Sequence, residues 1–221
     1  MKSAFFHSDE RHAIEARIKE HLNSAADVLT LGTASSPRAA GDAVQEILSN
    51  DFKTILGPEN CDTYSESFAR RAMADLAFTD RNGLYYVVDV KTHRLSTKFN
   101  MPNLTSVERL ARFYEEEKNY FAVLMIGYDV AGTRIKVEHV HFLPIEFLDW
   151  SCLTIGALGW GQIQLANSNV VKIDDTTSRR SWMLKMCDEL LEFYPKEIGK
   201  IGTRIAYFER IKTNWLARTG E

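Results

Sequence analysis

Cysteine is scarce in this sequence and poorly spaced for chemistry: Cys61, Cys152 and Cys187 are the only three, and no C-x-x-C pair occurs. An odd, dispersed set suggests neither a disulfide framework nor a thiolate zinc site, so all three read as small buried hydrophobes. Long apolar runs are missing too. No stretch could span a bilayer, and "MKSAFFHSDERH" at the start breaks into charge before a signal-peptide core could form. A cytoplasmic protein without membrane contact is expected. Nor is positive charge in surplus: 27 Lys and Arg against 30 Asp and Glu give a formal net charge of −3. That balance argues against coating nucleic acid by bulk electrostatics, though it allows a local basic surface. From Arg179 onward nine basic residues face six acidic ones, a pattern that reads first as a solvated helical face. Internal repeats and low-complexity segments are absent.

What is present is an ordinary globular chain of 221 residues with 45% hydrophobic content, enough for one sizeable core. Ile14, Ile18, Leu22 and Ala25 recur at helical spacing, and a second such pattern runs from Ala40 to Ile55 after the loop "TASSPR". After "TYSESFARRA" the character changes. "ADLAFT" and "LYYVVDVK" flank "DRNG", whose Asn-Gly marks a β-hairpin. "VERLARFYEEEKN" reads as a helix, and "YFAVLMIGYDV" with "RIKVEHVHFLPI" as a second strand pair. "EFLDW", the Gly-rich "GALGWG" and the strand-like "QIQLAN" follow, then a helical tail punctuated by Pro195, Gly199 and Gly202. The expectation is one α/β (α+β) domain over 1–221, with a mixed central sheet flanked by helices. Within it, 1–60 supplies N-terminal helices, 70–175 the sheet and its loops, and 176–221 a helical C-terminal part.

The chemistry concentrates in "ADLAFTDRNGLYYVVDVKTH". Residues two apart on a strand share a face, so Asp89 and Lys91 project together, and the hairpin brings back Asp75, fourteen positions earlier. Ionised groups held from water need partners or a metal. Two carboxylates suit Mg²⁺, and a neighbouring ammonium can stabilise charge at a reacting phosphate. The spacing acid-x-Lys also occurs at Asp51–Lys53 and Glu116–Lys118, where solvated helix surface explains it. The rival account of Asp89 and Lys91 is a structural ion pair. His139 and His141 share one strand face but have no third ligand nearby in sequence, so a half-exposed strand explains them better than a metal site. Trp160, Trp182 and Trp215 read as core or interface aromatics.

Downstream, "VDVKTHRLSTKFNMPNLTS" resembles the corresponding segment of blunt-cutting type II restriction endonucleases, in the EcoRV-like branch of the PD-(D/E)XK superfamily that holds the HincII- and HpaI-like enzymes. "RAAGDAVQEIL", "GALGWGQIQLAN" and "SRRSWMLKMCDEL" are similar to further segments of that group, in the same order; together the four pieces cover about half of the chain. The resemblance implies a restriction-endonuclease-like fold and Mg²⁺-dependent hydrolysis of double-stranded DNA at a short palindrome, with 5′-phosphate, 3′-hydroxyl and blunt ends. It makes Asp75 and Asp89 the metal-binding carboxylates and Lys91 the residue that orients or activates the attacking water. Where the family's first helix often carries a glutamate near the active site, this chain has Gln45 with Glu46 beside it. The triad is taken without either.

Base reading requires donors and acceptors aimed at groove edges, and Asn or Gln amides suit adenine. Gln162 and Gln164 share a strand face beside Gly159 and Gly161, which let backbone approach a groove. By position the resemblance adds Asn100 and Asn103, in a loop restricted by Pro102, with His93, Arg94 and Lys98 as phosphate contacts. It further implies a homodimer with contacts through the N-terminal helices, and a companion methyltransferase that protects host DNA. Two rivals stay open: a structure-specific repair or nicking nuclease on the same fold, and a catalytically silent DNA-binding module.

Overall fold

The run "YYVVDV" becomes the centre of a sheet because β-branched and aromatic residues suit a strand covered on both faces. The computed structural model describes residues 2–25, 29–65 and 74–218. Two units, Met1–Thr177 and Ser178–Glu221, are described separately. In the first unit the strands are β1 (Thr63–Tyr64), β2 (Leu76–Thr79), β3 (Tyr85–Arg94), β4 (Asn103–Ser106), β5 (Asn119–Ala131), β6 (Arg134–Pro144), β7 (Leu153–Gly156) and β8 (Gln162–Leu165). A five-stranded sheet has the order β1-β2-β3-β5-β6, and a three-stranded sheet the order β4-β8-β7. Because β3 pairs parallel with β5 while β2 and β6 run antiparallel to their neighbours, the large sheet is mixed, as the element pattern predicts. Most of "TYSESFARRA", where the sequence changes character, lies outside the described residues.

The Asn-Gly hairpin forms between β2 and β3: Asp80 Oδ1 accepts the N–H groups of Asn82 and Leu84 at 2.9 Å, and Gly83 takes φ 76°. One sheet face carries Tyr86, Leu124 and Phe142 beneath the N-terminal segment, where Phe5 and Phe6 pack edge-on against Tyr86 and Phe142. Both phenylalanines are buried, although no sequence period announces them.

Helix α1 (Glu10–Ser24) buries Ile14, Ile18 and Leu22 and also covers the open edge of β6. Asn23 meets both the N–H and the C=O of Val137, Lys19 Nζ donates to the Glu138 carbonyl at 2.6 Å, and Glu15 accepts the Phe142 N–H at 2.7 Å. Those contacts satisfy an edge that would otherwise be open to pairing with another chain. Helix α2 (Pro37–Leu56) starts where Ser36 caps the Ala39 N–H with Pro37 in the first turn, and stops at Gly57, φ 79°. Helix α3 (Val107–Phe113) is shorter than "VERLARFYEEEKN" suggests. Past Phe113 the run "EEEK" offers no apolar face, and Tyr114 turns to donate to the buried Glu146 carboxylate at 2.7 Å.

In the second unit, α4 (Arg179–Leu216) is one helix of 38 residues. The expected punctuation at Pro195, Gly199 and Gly202 does not interrupt it. Pro195 only withdraws the N–H that would bond the Leu191 carbonyl, and the helix continues on both sides. Cys61 and Cys152 are buried as expected; Cys187, on α4, is exposed. Among the described residues no helix is long and apolar enough to cross a membrane.

Candidate active site

The hairpin register pairs Leu76 with Val88, so the next step outward sets Asp75 against Asp89. Asp75 is fixed by its own backbone and side chain together. Its N–H donates to the Val88 carbonyl at 2.9 Å, and its Oδ2 accepts the Val90 N–H at 2.7 Å, so the residue brackets Asp89. This works because β2 ends at Leu76 in chain-reversed sense, leaving the next β3 amide without a ladder partner for a carboxylate to take.

Asp89 is 6% exposed. Lys91 Nζ donates to its Oδ1 at 2.7 Å, whereas its Oδ2 is buried with no hydrogen-bond partner among the described residues. Burial pushes the Asp89 carboxyl up to about 7 against the opposing pull of the Lys91 ammonium, and the Asp75 charge pushes it further the same way. A carboxylate pair, one buried and one half-buried, with one oxygen lacking a partner among the described residues and an ammonium alongside, is an arrangement that a divalent cation completes. Among the described residues no cluster of three or more His, Cys, Asp or Glu is arranged to hold a metal. A cation here would therefore take Asp75 and Asp89, with water and substrate oxygen filling its remaining positions, as Mg²⁺ does.

The sequence left Gln45 and Glu46 outside the triad. Gln45 Nε2 donates to Asp75 Oδ1 at 2.6 Å, and Glu46 is exposed. Gln45 thus holds in place the carboxylate that the hairpin positions. Replacing it with Ala strips a half-buried carboxylate of one donor; the expected result is about 1–2 kcal/mol lower stability by chemical denaturation. An unchanged midpoint would mean that water takes over the bond.

Parallel pairing of β3 with β5 builds something the sequence did not reveal. Register aligns Lys91 with Met125 and His141, and His93 with Gly127 and His139, so three histidines share the face of Asp89 and Lys91. Gly127 lets the His139 ring lie over the strand, since a Cβ there would sit 2.2 Å from the ring and force it to move. Burial lowers the pKa of both His139 and His141, with His93 adding to the effect on His139 and His139 to that on His141. A cavity of about 220 Å³ lies against Lys91 and this row, lined also by Pro102, Ser168 and Asn169.

The proposed DNA-contacting residues fall into two groups. His93 is buried, its Nε2 on Asn169 Oδ1 at 2.8 Å, and Asn169 Nδ2 reaches the Thr97 and Lys98 carbonyls. His93 therefore supports the loop from beneath instead of facing solvent, and Asn169, with no signal in the sequence, is its anchor. Arg94 leans on the Ala34 and Ser35 carbonyls, and Asn100 contributes its carbonyl to Ser168. Lys98 and Asn103 are exposed. Asn103 pairs with Gln164 across β4 and β8, where its Oδ1 accepts from Gln164 Nε2. Gln164 lies over Gly156, where a Cβ would meet Oε1 at 2.6 Å, and Gln162 lines a groove with Arg109, Leu158 and Trp160. Asn103, Gln162 and Gln164 are thus brought onto one small sheet, while Gly159 and Gly161 take φ of 61° and 129°, which side-chain-bearing residues avoid. Comparison of the chain with family models and with curated proteins finds no match.

Proposed function

We propose that this protein is a Mg²⁺-dependent type II restriction endonuclease that hydrolyses double-stranded DNA at a short palindrome and acts as a homodimer. The observation that carries the reading is Asp89, a buried carboxylate whose second oxygen has no donor among the described residues, bracketed by Asp75 and paired with Lys91. Asp75 and Asp89 would hold the cation, which when bound supplies positive charge against the phosphodiester. Lys91 contributes a second positive charge on the same face, where it can orient the attacking water and stabilise the charge that builds on phosphorus. Gln45 and the Val90 N–H keep Asp75 from turning away. In-line attack breaks the bond to the 3′ oxygen, leaving a 5′-phosphate and a 3′-hydroxyl; blunt ends follow the resemblance.

Asn103, Gln162 and Gln164 offer amides suited to adenine edges, and Lys98 offers charge to the backbone. A palindrome presents two equivalent phosphodiesters related by a two-fold axis, which is the reason for two copies. Such an enzyme works in the cytoplasm beside a methyltransferase that protects host DNA. The 2.7 Å contact between Lys91 and Asp89 also favours a second reading, a silent DNA-binding module held by a structural ion pair. A structure-specific nicking nuclease on the same fold would differ in leaving ends of no fixed sequence.

Divalent cation separates the first two. A carboxylate-lined site repels phosphate until a cation enters, so duplex affinity at fixed ionic strength should rise at least about 10-fold when Ca²⁺ replaces EDTA. Fluorescence anisotropy reads it. Equal affinity in both would favour the module.

A further inference from the structure

Helix α4 carries a second pattern that the chemistry above does not use. Starting at Leu184, apolar residues alternate by three and four positions as far as Phe208, and Trp215 continues the spacing after Lys212. Leu184, Leu191, Ile198 and Ile205 occupy the first position of successive heptads, and Cys187, Tyr194, Ile201, Phe208 and Trp215 the fourth. All nine are exposed, with Leu191 at 72%, Ile198 at 69% and Phe208 at 66%. Trp182 and Met186, the buried residues of α4, lie on the opposite side of the helix. A seam of more than four heptads exceeds the three to four that sustain a coiled coil, and at 1.5 Å per residue it is about 50 Å long. Large exposed apolar stripes of this kind mark interaction surfaces.

We propose that this stripe pairs in parallel with α4 of a second copy of the same chain, forming a two-stranded coiled coil. The charges beside the seam identify the partner. Lys185, Lys196 and Lys200 are matched within the helix by Glu189, Glu192 and Glu197. Among the described residues, Arg204 and Glu209 have no such ion pair. They stand five apart at the two positions that flank the seam, where in a parallel dimer each Arg204 meets Glu209 of the second copy. Antiparallel overlap of the full helix would instead set Asp188 against Glu209, like charges, and leave Arg204 facing Glu197, whose charge Lys200 already takes within the helix. Lys212 takes the first heptad position after Ile205; one polar residue there fixes register and strand number at some cost in stability. A parallel pair also gathers both Ser178 ends, to which residues 1–177 are joined, at one end of the coil.

This surface deepens the homodimer part of the proposed function, but its test reads mass and not cleavage, so either can fail alone. The full chain at micromolar concentration is compared with Ile198→Glu/Ile205→Glu by analytical ultracentrifugation, with circular dichroism to check helix content. Both substituted residues are exposed. The expected result is a wild-type dimer and a twofold lower mass for the variant. A short bismaleimide should link wild-type copies through Cys187, whose thiols face each other in one parallel layer, and fail to link Cys187→Ser. A monomeric wild type, or a dimer that survives the double substitution, overturns the pairing. A dimer lost on substitution but never linked through Cys187 overturns the parallel arrangement.

Discussion

Replacing Lys91 with Ala should lower the single-turnover rate of duplex DNA cleavage in Mg²⁺ by about 10²- to 10³-fold, the scale seen when one preorganised group that stabilises transition-state charge is removed. The Lys91 side chain is 25% exposed and its ammonium pairs with Asp89 alone among the described residues, so its loss leaves no cavity in the core. Folding should survive. What the variant loses is the positive charge on the reacting side of the sheet, whereas Asp75, held by Gln45 and the Val90 N–H, keeps its place. DNA affinity in Ca²⁺ should therefore fall far less than the rate. Equal loss of binding and rate would mean that Lys91 serves as a general phosphate contact, and full activity would remove it from the chemistry.

The second large effect concerns stability. Asp89 in the folded protein has its carboxyl raised to about 7 by burial, against an ordinary value of about 3.9 in an unfolded chain. Below about pH 4 both states hold the proton. Between about 4 and 7 the unfolded chain releases it and the folded chain retains it, so stability from this group falls as pH rises; above 7 the cost is complete. Asp89→Asn removes the titration. In EDTA the variant should thus be more stable than wild type at pH 8, by an amount on the order of a few kcal/mol, and the gap should narrow towards pH 4. Saturating Ca²⁺ at pH 8 should raise the wild-type midpoint and leave the variant's unmoved, because a cation takes over what the proton did at low pH. Urea denaturation at pH 5, 6.5 and 8 measures all of this. A variant less stable than wild type at pH 8 without metal would show that Lys91 compensates the buried charge fully.

That Asp75, Asp89 and Lys91 meet is legible in the sequence because everything that places them is local. Asn-Gly sets the turn, period two sets the face, and fourteen residues fix which carboxylates meet. The choice between Gln45 and Glu46 was also available in principle. Ala40, Val44 and Leu48 bury one stripe of α2, and Glu46, two positions beyond Val44, points away from it, whereas Gln45 stays at its border. The histidine row could not be read. It depends on parallel register between β3 and β5, and a long crossover from Leu95 to Lys118 leaves that register unspecified. Phe5 and Phe6 were missed for want of any period. In α4, Pro195 suggests an interruption by itself, but the apolar stripe continues through it at unchanged spacing. A pattern summed over about nine turns outweighs one lost hydrogen bond.

The most direct measurement is digestion of a long DNA of known sequence by the purified wild-type protein, in Mg²⁺ and in EDTA, followed by sequencing of every fragment end. The account predicts discrete fragments in Mg²⁺ alone, with 5′-phosphates at blunt ends that share one palindrome. Intact DNA across varied sequences, from folded protein that still binds duplex, would contradict it and return Asp89 and Lys91 to a structural ion pair.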